Sequence, residues 1–98
     1  MMIAMPLSKQ LMKWLIVISK GGLTRAKIIL LLKENPMSVQ QLSEKMEMHY
    51  TTIQHHVEML LKHGFIVGAG GKYGKAYFLS PDLEDEWNEF EKLAQKLR

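Results

Sequence analysis

Residues 38–57 read SVQQLSEKMEMHYTTIQHHV, and this stretch decides the fold. Ser38 followed three residues later by Gln41 fits the capping box that begins a helix. The apolar residues after it recur at helical spacing, which predicts a short helix. A tight connection at 47–48 then leads to a longer helix that begins near His49. Two helices joined in this way are the first element of structure that the sequence indicates.

The longer helix runs from about His49 to Gly64 and is amphipathic. Its apolar residues recur four, seven and eight positions after the first, which is the spacing of one buried helix face: Ile53, Val57, Leu60 and Leu61. Its opposite face carries polar side chains: Tyr50, Thr51, Gln54, His55 and Glu58. One face is therefore expected to pack on the domain and the other to meet a partner.

After Gly64 the pattern becomes that of a β-hairpin. Residues 65–67 predict one strand, residues 75–79 alternate as the returning strand, and the glycine-rich basic stretch 68–74 forms the turn. A helix pair with a tight turn is a helix-turn-helix, whose second helix is shaped for the major groove of DNA. A basic hairpin directly after it is a wing. We predict a mainly α fold with a small β-hairpin, a winged helix-turn-helix with additional N- and C-terminal helices.

The terminal helices carry apolar stripes that predict an interface. We expect one domain over 1–98, with an N-terminal dimerisation helix over 1–22, a winged-helix core over 23–80 and a C-terminal dimerisation helix over 81–98. A helix from about Thr24 to Asn35 is apolar on most sides and should be central. Two further stripes exceed what this core can hide, so we expect a two-fold homodimer. The residues expected at its interface are Leu7, Leu11, Trp14, Ile18, Leu83, Trp87, Phe90, Ala94 and Leu97.

The contacts with double-stranded DNA are expected from two groups of residues. Side chains that can read base edges lie on the second helix: Thr51, Gln54 and His55. Contacts with phosphates are expected near the start of that helix and on the wing: Tyr50, Thr52, Lys72 and Lys75. This helix carries one cation of fixed charge, Lys62. Further electrostatic attraction is therefore expected from the body of the domain: Arg25, Lys27 and Lys45.

The charge distribution supports an anionic partner. The chain of 98 residues has a formal net charge of +3. Residues 1–80 hold ten Lys and Arg against four Asp and Glu, whereas residues 81–98 hold three against six. A basic body with an acidic tail points to nucleic acid as the first candidate partner. The apolar runs are too short to span a membrane, and no signal peptide is evident, so a cytoplasmic location is expected.

Metal and enzyme functions find little support in the sequence. There is no cysteine, which excludes disulfides, thiolate metal sites and thiol catalysis. The histidines at 49, 55, 56 and 63 lack the i, i+3 or i+4 spacing that chelation within one helix needs. We expect His56 to pack inward beside Val57 with a hydrogen bond, and His55 to face DNA. The acidic residues of 82–91 suit the solvent face and N-terminus of a helix. No metal, cofactor or catalytic residue is therefore predicted.

The residues that carry this interpretation resemble a known family. The runs 42–46, 50–57 and 64–67, with 24–29 before them, resemble the winged helix-turn-helix regulators of the ArsR type. They are most similar to archaeal members with a Tyr-x-Thr-Val-x-x-His-Leu-like run at the recognition helix. The resemblance covers about 23–80. It implies a homodimer that binds operator DNA, with the terminal helices forming the dimer interface.

The sequence departs from the family pattern at Glu47, among other positions, and a winged helix has a second possible function. The family often has Gly where Glu47 stands, and a left-handed backbone there would cost a non-Gly residue about 1 kcal/mol. The alternative function is a winged helix used for protein contacts within a larger assembly. The salt dependence of duplex binding distinguishes the two, because phosphate contacts release counterions and protein contacts do not.

Overall fold

A computed structural model describes residues 7–71 and 74–97. Short helices dominate it, and one antiparallel hairpin follows the helix-turn-helix. In chain order the elements are α1 (Lys9–Lys13), a π-helix (Trp14–Ile18), α2 (Gly22–Glu34), α3 (Val39–Met46), α4 (Tyr50–Lys62), β1 (Ile66–Gly71), β2 (Gly74–Leu79), α5 (Pro81–Asp85) and α6 (Trp87–Gln95). The predicted fold class, a winged helix-turn-helix with flanking helices, is confirmed.

The first helix begins with a side-chain cap and changes its winding before it ends. The hydroxyl of Ser8 accepts a hydrogen bond from the Leu11 amide at 3.0 Å, which satisfies one free amide of the first turn. The Ser19 amide donates to the Trp14 carbonyl at 2.8 Å. That five-residue spacing is the mark of a π-helix, which the sequence did not predict.

Two glycines control the passage from the π-helix to α2. Gly21 has φ of 90°, a left-handed conformation that glycine adopts without strain. A Cβ on Gly22 would lie 2.0 Å from the Ile16 carbonyl oxygen, so only glycine fits there. Because this close turn ends at Gly21, α2 begins at Gly22 and not near Thr24 as expected.

The helix-turn-helix forms as the sequence predicts. Ser38 and Gln41 make both hydrogen bonds of the capping box at the start of α3. Glu47 closes α3 in the left-handed region, with φ of 54° and ψ of 47°. His49 then caps α4 without a side-chain hydrogen bond. A chain reversal of two to three residues therefore sets α4 against α3.

A continuous apolar core lies beneath α4. It contains most of the inward face of α2 and the apolar stripe of α4, and the hairpin and α6 cover its edges. Side chains with no exposed surface include Ile28, Ile29, Leu42, Ile53, Leu60, Phe65, Leu83 and Phe90. Burial of this kind stabilises a domain by about 1.5–3 kcal/mol for each large apolar side chain, before entropy is subtracted. The buried face of α4 is therefore packed on a continuous apolar core.

The hairpin is joined to the body of the domain by an isolated antiparallel β-bridge between Tyr77 and Met37. In the hairpin Ile66 pairs with Leu79 and Gly71 with Gly74, an unbroken antiparallel register. The Tyr77 amide donates to the Met37 carbonyl at 2.8 Å, and the Met37 amide donates back at 3.2 Å. This bridge ties the base of the hairpin to the chain before α3, and so the position of the wing follows that of the helix-turn-helix.

The C-terminal helix predicted over 81–98 is two helices, and that prediction is wrong in its continuity. The Ser80 hydroxyl caps α5 by accepting from the Leu83 amide at 3.1 Å. The backbone then leaves helical geometry at Glu86, with φ of −101° and ψ of 20°. The Lys33 side chain of α2 holds both pieces, because its Nζ lies 3.3 Å from the Glu84 carboxylate and 4.6 Å from the centre of the Trp87 ring.

Candidate nucleic-acid interface

The exposed side of α4 is the surface that the sequence assigned to bases. Thr51 and His55 are exposed, whereas Gln54 is half-buried at its edge. An α-helix turns by about 100° per residue, so these three side chains project within one sector of the helix. Their hydroxyl, amide and imidazole groups can donate and accept hydrogen bonds. We name this sector, together with Glu58, the reading face.

Glu58 is the member of the reading face that the sequence analysis placed on the polar side of the helix but did not assign to DNA contacts. It is exposed and lies seven residues after Thr51, two turns along the same side. A carboxylate there opposes phosphates but can accept a hydrogen bond from the cytosine amino group. Its helical spacing from Thr51 had already placed it on this face, but its negative charge gave no reason to expect a contact with DNA.

The residues predicted to contact phosphates lie at the two borders of the reading face. Tyr50 and Thr52 are exposed in the first turn of α4, where free backbone amides also point outwards. Lys75 is exposed on β2, opposite Gly70. Lys72, the other predicted wing contact, lies outside the described residues.

The cations of the domain body divide into exposed and buried ones. Lys27 and Lys45 are exposed and line one groove beside α2 and α3. Arg25 is 2% exposed and so cannot contact phosphates directly, and its contribution to the attraction stays a prediction. A count of charges along the sequence assumes that every arginine is exposed at the surface. The Arg25 side chain is instead enclosed by hydrogen-bond acceptors.

The Arg25 guanidinium joins α2 to the end of the π-helix. Its Nε donates to the Leu15 carbonyl at 2.9 Å. One terminal nitrogen donates to the Lys20 carbonyl at 3.1 Å and to the Ser19 hydroxyl. None of the ion pairs between described residues includes Arg25. Carbonyl and hydroxyl oxygens therefore compensate the buried charge in place of a carboxylate.

The same guanidinium also reaches the recognition helix. Its other terminal nitrogen lies 3.2 Å from Nδ1 of His56. His56 is half-buried and faces away from the reading face, and its predicted inward position with a hydrogen bond is confirmed. Burial lowers the pKa of His56, and the nearby charges of Arg25 and His55 lower it further. Burial also lowers the pKa of Arg25, but an arginine keeps its proton at any physiological pH.

The residues predicted for a dimer interface fall into three groups by exposure. Trp14 and Ile18 are 46% and 63% exposed. Leu83 and Phe90 are completely buried in the protomer's own core, together with nearly all of Leu7. A heptad stripe predicts a buried face but not what covers it, and the protomer itself covers these three. The half-buried members of the set are Leu11, Trp87, Ala94 and Leu97.

Two exposed leucines add apolar surface that the sequence analysis did not assign to an interface. Leu23 and Leu30 lie on the outer side of α2 and are 51% and 44% exposed. They border a groove between α2 and α6 whose far side includes Ala94 and Leu97. This groove brings two of the predicted dimer residues next to unpartnered apolar side chains.

Metal-binding and membrane-spanning features were also sought in the described ranges. Among residues 7–71 and 74–97, no three His, Asp or Glu side chains lie close enough together to hold a metal ion. Within the same ranges, no helix combines the length and the apolar character that crossing a bilayer requires.

Comparison with known proteins identifies the central part of the chain. Residues 23–67 match the family model described as bacterial regulatory protein, arsR family. This central part of the chain is therefore similar to the helix-turn-helix domain of the ArsR family. The matched part spans α2, α3, α4 and the start of β1, and it therefore includes the whole reading face. No curated protein matches the chain in sequence.

Solved structures share the fold of this chain over most of its length. The homodimeric winged helix-turn-helix DNA-binding domain of Mb0332 from Mycobacterium bovis, a possible ArsR-family regulator, has a TM-score of 0.70 at 15% identity and covers 90% of this chain and 80% of its own. The ArsR-family transcriptional regulator RHA00566 has a TM-score of 0.55 at 13% identity, covering 95% and 97%.

A further structure extends the likeness to another regulator. The adhesin competence repressor AdcR from Streptococcus pyogenes has a TM-score of 0.57 at 15% identity, and the match covers 74% of this chain and 65% of AdcR. At these identities the likeness shows the fold. Together, the matched family and the fold are those of DNA-binding transcriptional regulators.

Proposed function

We propose that this protein is a transcriptional regulator that binds double-stranded DNA sequence-specifically as a homodimer. The observation that carries the proposal is the amphipathic α4, whose apolar stripe is buried while its polar side is exposed next to the hairpin. A helix presented in this way can enter a major groove while a wing contacts the backbone. The family match over the same residues supports this function.

The residues of the interface divide into those that read sequence and those that supply affinity. Gln54 and His55, with Thr51 beside them, contact base edges, and the glutamine amide pairs well with adenine. Phosphates are contacted from both borders and from the body: Tyr50, Thr52, Lys72, Lys75, Lys27 and Lys45. In a two-fold dimer the two α4 helices enter successive major grooves about 34 Å apart, and so the DNA site is an inverted repeat.

The dimer is formed through the terminal helices, with Trp14 and Ile18 as the main apolar contacts. Both side chains are exposed in the protomer, and exposed apolar surface of this kind marks an interface. Ala94 and Leu97, at the end of the chain, add to it beside the groove along α2. The Mb0332 domain, which shares the fold, is a homodimer.

Finer assignments belong to the same proposal. The domain boundaries, with a core over 23–80 between two dimerisation segments, follow the sequence analysis. The archaeal type rests on the Tyr50–Val57 run and stays a prediction. A regulator of genomic DNA acts in the cytoplasm of a prokaryotic cell and needs no catalytic residue, and we propose no enzymatic activity.

Selection of bound fragments from the host genome, followed by fluorescence anisotropy on the selected duplex, tests the function. Gln54→Ala should weaken binding to the selected duplex by roughly 1–3 kcal/mol and change binding to an unrelated duplex little. Lys75→Ala should weaken both duplexes alike and lower the slope of log affinity against log salt by about one unit. The exposed Lys96, on the C-terminal segment, provides a matched control as Lys96→Ala.

Two results would oppose the proposal. If removal of Lys72 and Lys75 together leaves both the affinity and the salt slope unchanged, the wing does not contact phosphate. Duplex binding that is absent at low salt would favour the alternative, a winged helix that contacts other proteins.

Light scattering tests the dimer separately. Trp14→Glu with Ile18→Glu should give a monomeric mass at micromolar concentration, because each change places a charge in the apolar contact. Gln10→Glu, an exposed change on α1, should keep the dimer. A monomeric mass for the unaltered protein would refute this part of the proposal.

A further inference from the structure

We propose that Arg25 is a positioning residue for α4: through His56 it fixes the recognition helix relative to the end of the π-helix. The proposal rests on the proposed DNA-binding function. Arg25 itself is buried and cannot contact DNA, and its effect on binding is therefore exerted through the position of the reading face.

The π-helix provides the acceptors that hold the guanidinium. In a regular α-helix the Ser19 amide would donate to the Leu15 carbonyl, but here it donates to the Trp14 carbonyl. The Leu15 carbonyl is thereby released, and Arg25 Nε donates to it at 2.9 Å. With the Lys20 carbonyl at 3.1 Å, the guanidinium closes the end of this helix. Its planar donors fix its orientation.

One edge of the His56 ring is enclosed by Arg25 and Gly21. A guanidinium only donates hydrogen bonds, so the 3.2 Å contact with Nδ1 requires that this nitrogen be unprotonated and accept. Gly21 borders the same edge of the ring, because a Cβ on Gly21 would lie 2.7 Å from Cε1 of His56 and 3.1 Å from the Arg25 nitrogen that contacts Nδ1. The ring therefore fits against bare backbone. Because Gln54 and His55 share the same helix, a rotation of α4 that moved His56 would move them equally.

The contact depends on the charge of His56. The charged or titratable groups that act on its ring are Arg25 from α2 and His55 from its own helix. The junction between the π-helix and α2 contributes the Lys20 carbonyl and the Ser19 hydroxyl to Arg25, and no carboxylate pairs with that arginine among the described residues. A protonated His56 would place two cations against each other, so acid should release α4 from Arg25.

The arrangement also connects two parts of the proposed regulator. The π-helix that Arg25 closes carries Trp14 and Ile18, the exposed residues assigned to the dimer. Recognition by a dimer requires that both reading faces keep a fixed spacing and angle. A rigid connection from the dimer helix to α4 provides this, and Arg25 forms it with hydrogen bonds to both.

The test compares the pH dependence of DNA affinity in matched variants. His56→Asn keeps an acceptor oxygen where Nδ1 stands but does not titrate, and His63→Asn changes another half-buried histidine at the far end of α4. Anisotropy with the duplex selected from the genome is measured from pH 7.5 to pH 5. Contributions to binding that do not involve His56 are shared by the unaltered protein and His56→Asn, so the informative quantity is the difference between their pH profiles.

We expect the unaltered protein and His63→Asn to lose affinity relative to His56→Asn as the pH falls. The relative loss should approach tenfold per pH unit below the pKa of His56 in the free protein, since binding then requires release of one proton. Equal pH profiles for the unaltered protein and His56→Asn would overturn the proposal.

A second variant tests the guanidinium. Arg25→Lys keeps the charge but loses the planar set of donors, and it should reduce the ratio of affinities for selected and unrelated duplexes by at least tenfold. Thermal unfolding at equal protein concentration establishes that the variant is folded. A folded Arg25→Lys with an unchanged affinity ratio would contradict a positioning role.

The failure of the proposed function is distinguishable from that of this inference. If the unaltered protein binds no duplex at pH 7.5, DNA binding itself is contradicted. Hydrogen exchange of the α4 amides in the protein alone then decides the role of Arg25. Protection of the α4 amides, corrected for intrinsic exchange, should fall in acid for the unaltered protein and stay constant for His56→Asn. Equal protection in the two proteins would refute the positioning role of Arg25.

Discussion

Replacement of Glu47 by glycine should stabilise the protein by about 1 kcal/mol. Glu47 is the one non-glycine residue with positive φ among those described, and a left-handed conformation costs an L-residue roughly 1–2 kcal/mol. Glycine removes that cost but adds about 0.4–1 kcal/mol of unfolded-state entropy. The change also removes a carboxylate from the C-terminal end of α3, where the helix dipole disfavours it by about 0.3–1 kcal/mol.

Urea and thermal unfolding at a fixed protein concentration measure the effect. For a domain of this size, 1 kcal/mol corresponds to a rise in Tm of about 4–8 °C. Glu47→Gln is the matched control, because it removes the charge and keeps the side chain. If Glu47→Gln stabilises as much as Glu47→Gly, charge and not backbone strain is responsible. If Glu47→Gly destabilises, the reasoning about the turn is refuted.

Four further outcomes follow from the structure. Glu58→Gln should raise affinity for an unrelated duplex in anisotropy, because a negative charge leaves the reading face; unchanged binding would place Glu58 away from DNA. Phe90→Ala should lower the free energy of unfolding in urea by about 3–5 kcal/mol because the ring is fully buried. A much smaller decrease would contradict burial in the protomer and favour the predicted place of Phe90 in the dimer interface. Stability should fall as the pH drops below about 6.5, since the unfolded state then binds the proton that folded His56 resists, and His56→Asn should reduce that slope. Added Zn²⁺ in modest excess should leave DNA affinity unchanged, and a reproducible tenfold change that a histidine substitution abolishes would contradict this.

The elements predicted correctly from sequence are those specified by local chemistry. A capping box requires only Ser38 and Gln41 at the right spacing, and both of its hydrogen bonds are present. The hairpin was predicted from alternation on its second strand, but the turn predicted over 68–74 is too long, because residues 68–71 belong to β1 and Gly74 begins β2. From the sequence, a left-handed backbone at Glu47 was only a conditional prediction. Its basis was the glycine that ArsR-type regulators often have at this position.

The features that sequence reasoning missed depend on contacts between distant residues. A helical stripe cannot show whether its residues contact their own chain or a second one, and Phe90 is enclosed by its own core. Over a single turn the apolar pattern around Trp14 is the same for α- and π-helix. Arg25 was counted as surface charge because its partners are 5 to 31 residues away in sequence.

Sequence specificity depends on the orientation of α4, and this connects the reading face with the buried Arg25. A helix that presents Thr51, Gln54 and His55 and a carboxylate gains little from general attraction to phosphates. Its discrimination depends on hydrogen bonds to base edges, which weaken steeply when their angles are wrong. The orientation of α4 therefore has to be fixed more tightly than in a helix rich in arginine, whose long side chains can adjust. Arg25 is buried and makes no direct contact with DNA, but it connects α4 to the π-helix through its hydrogen bonds to the Leu15 carbonyl and to His56.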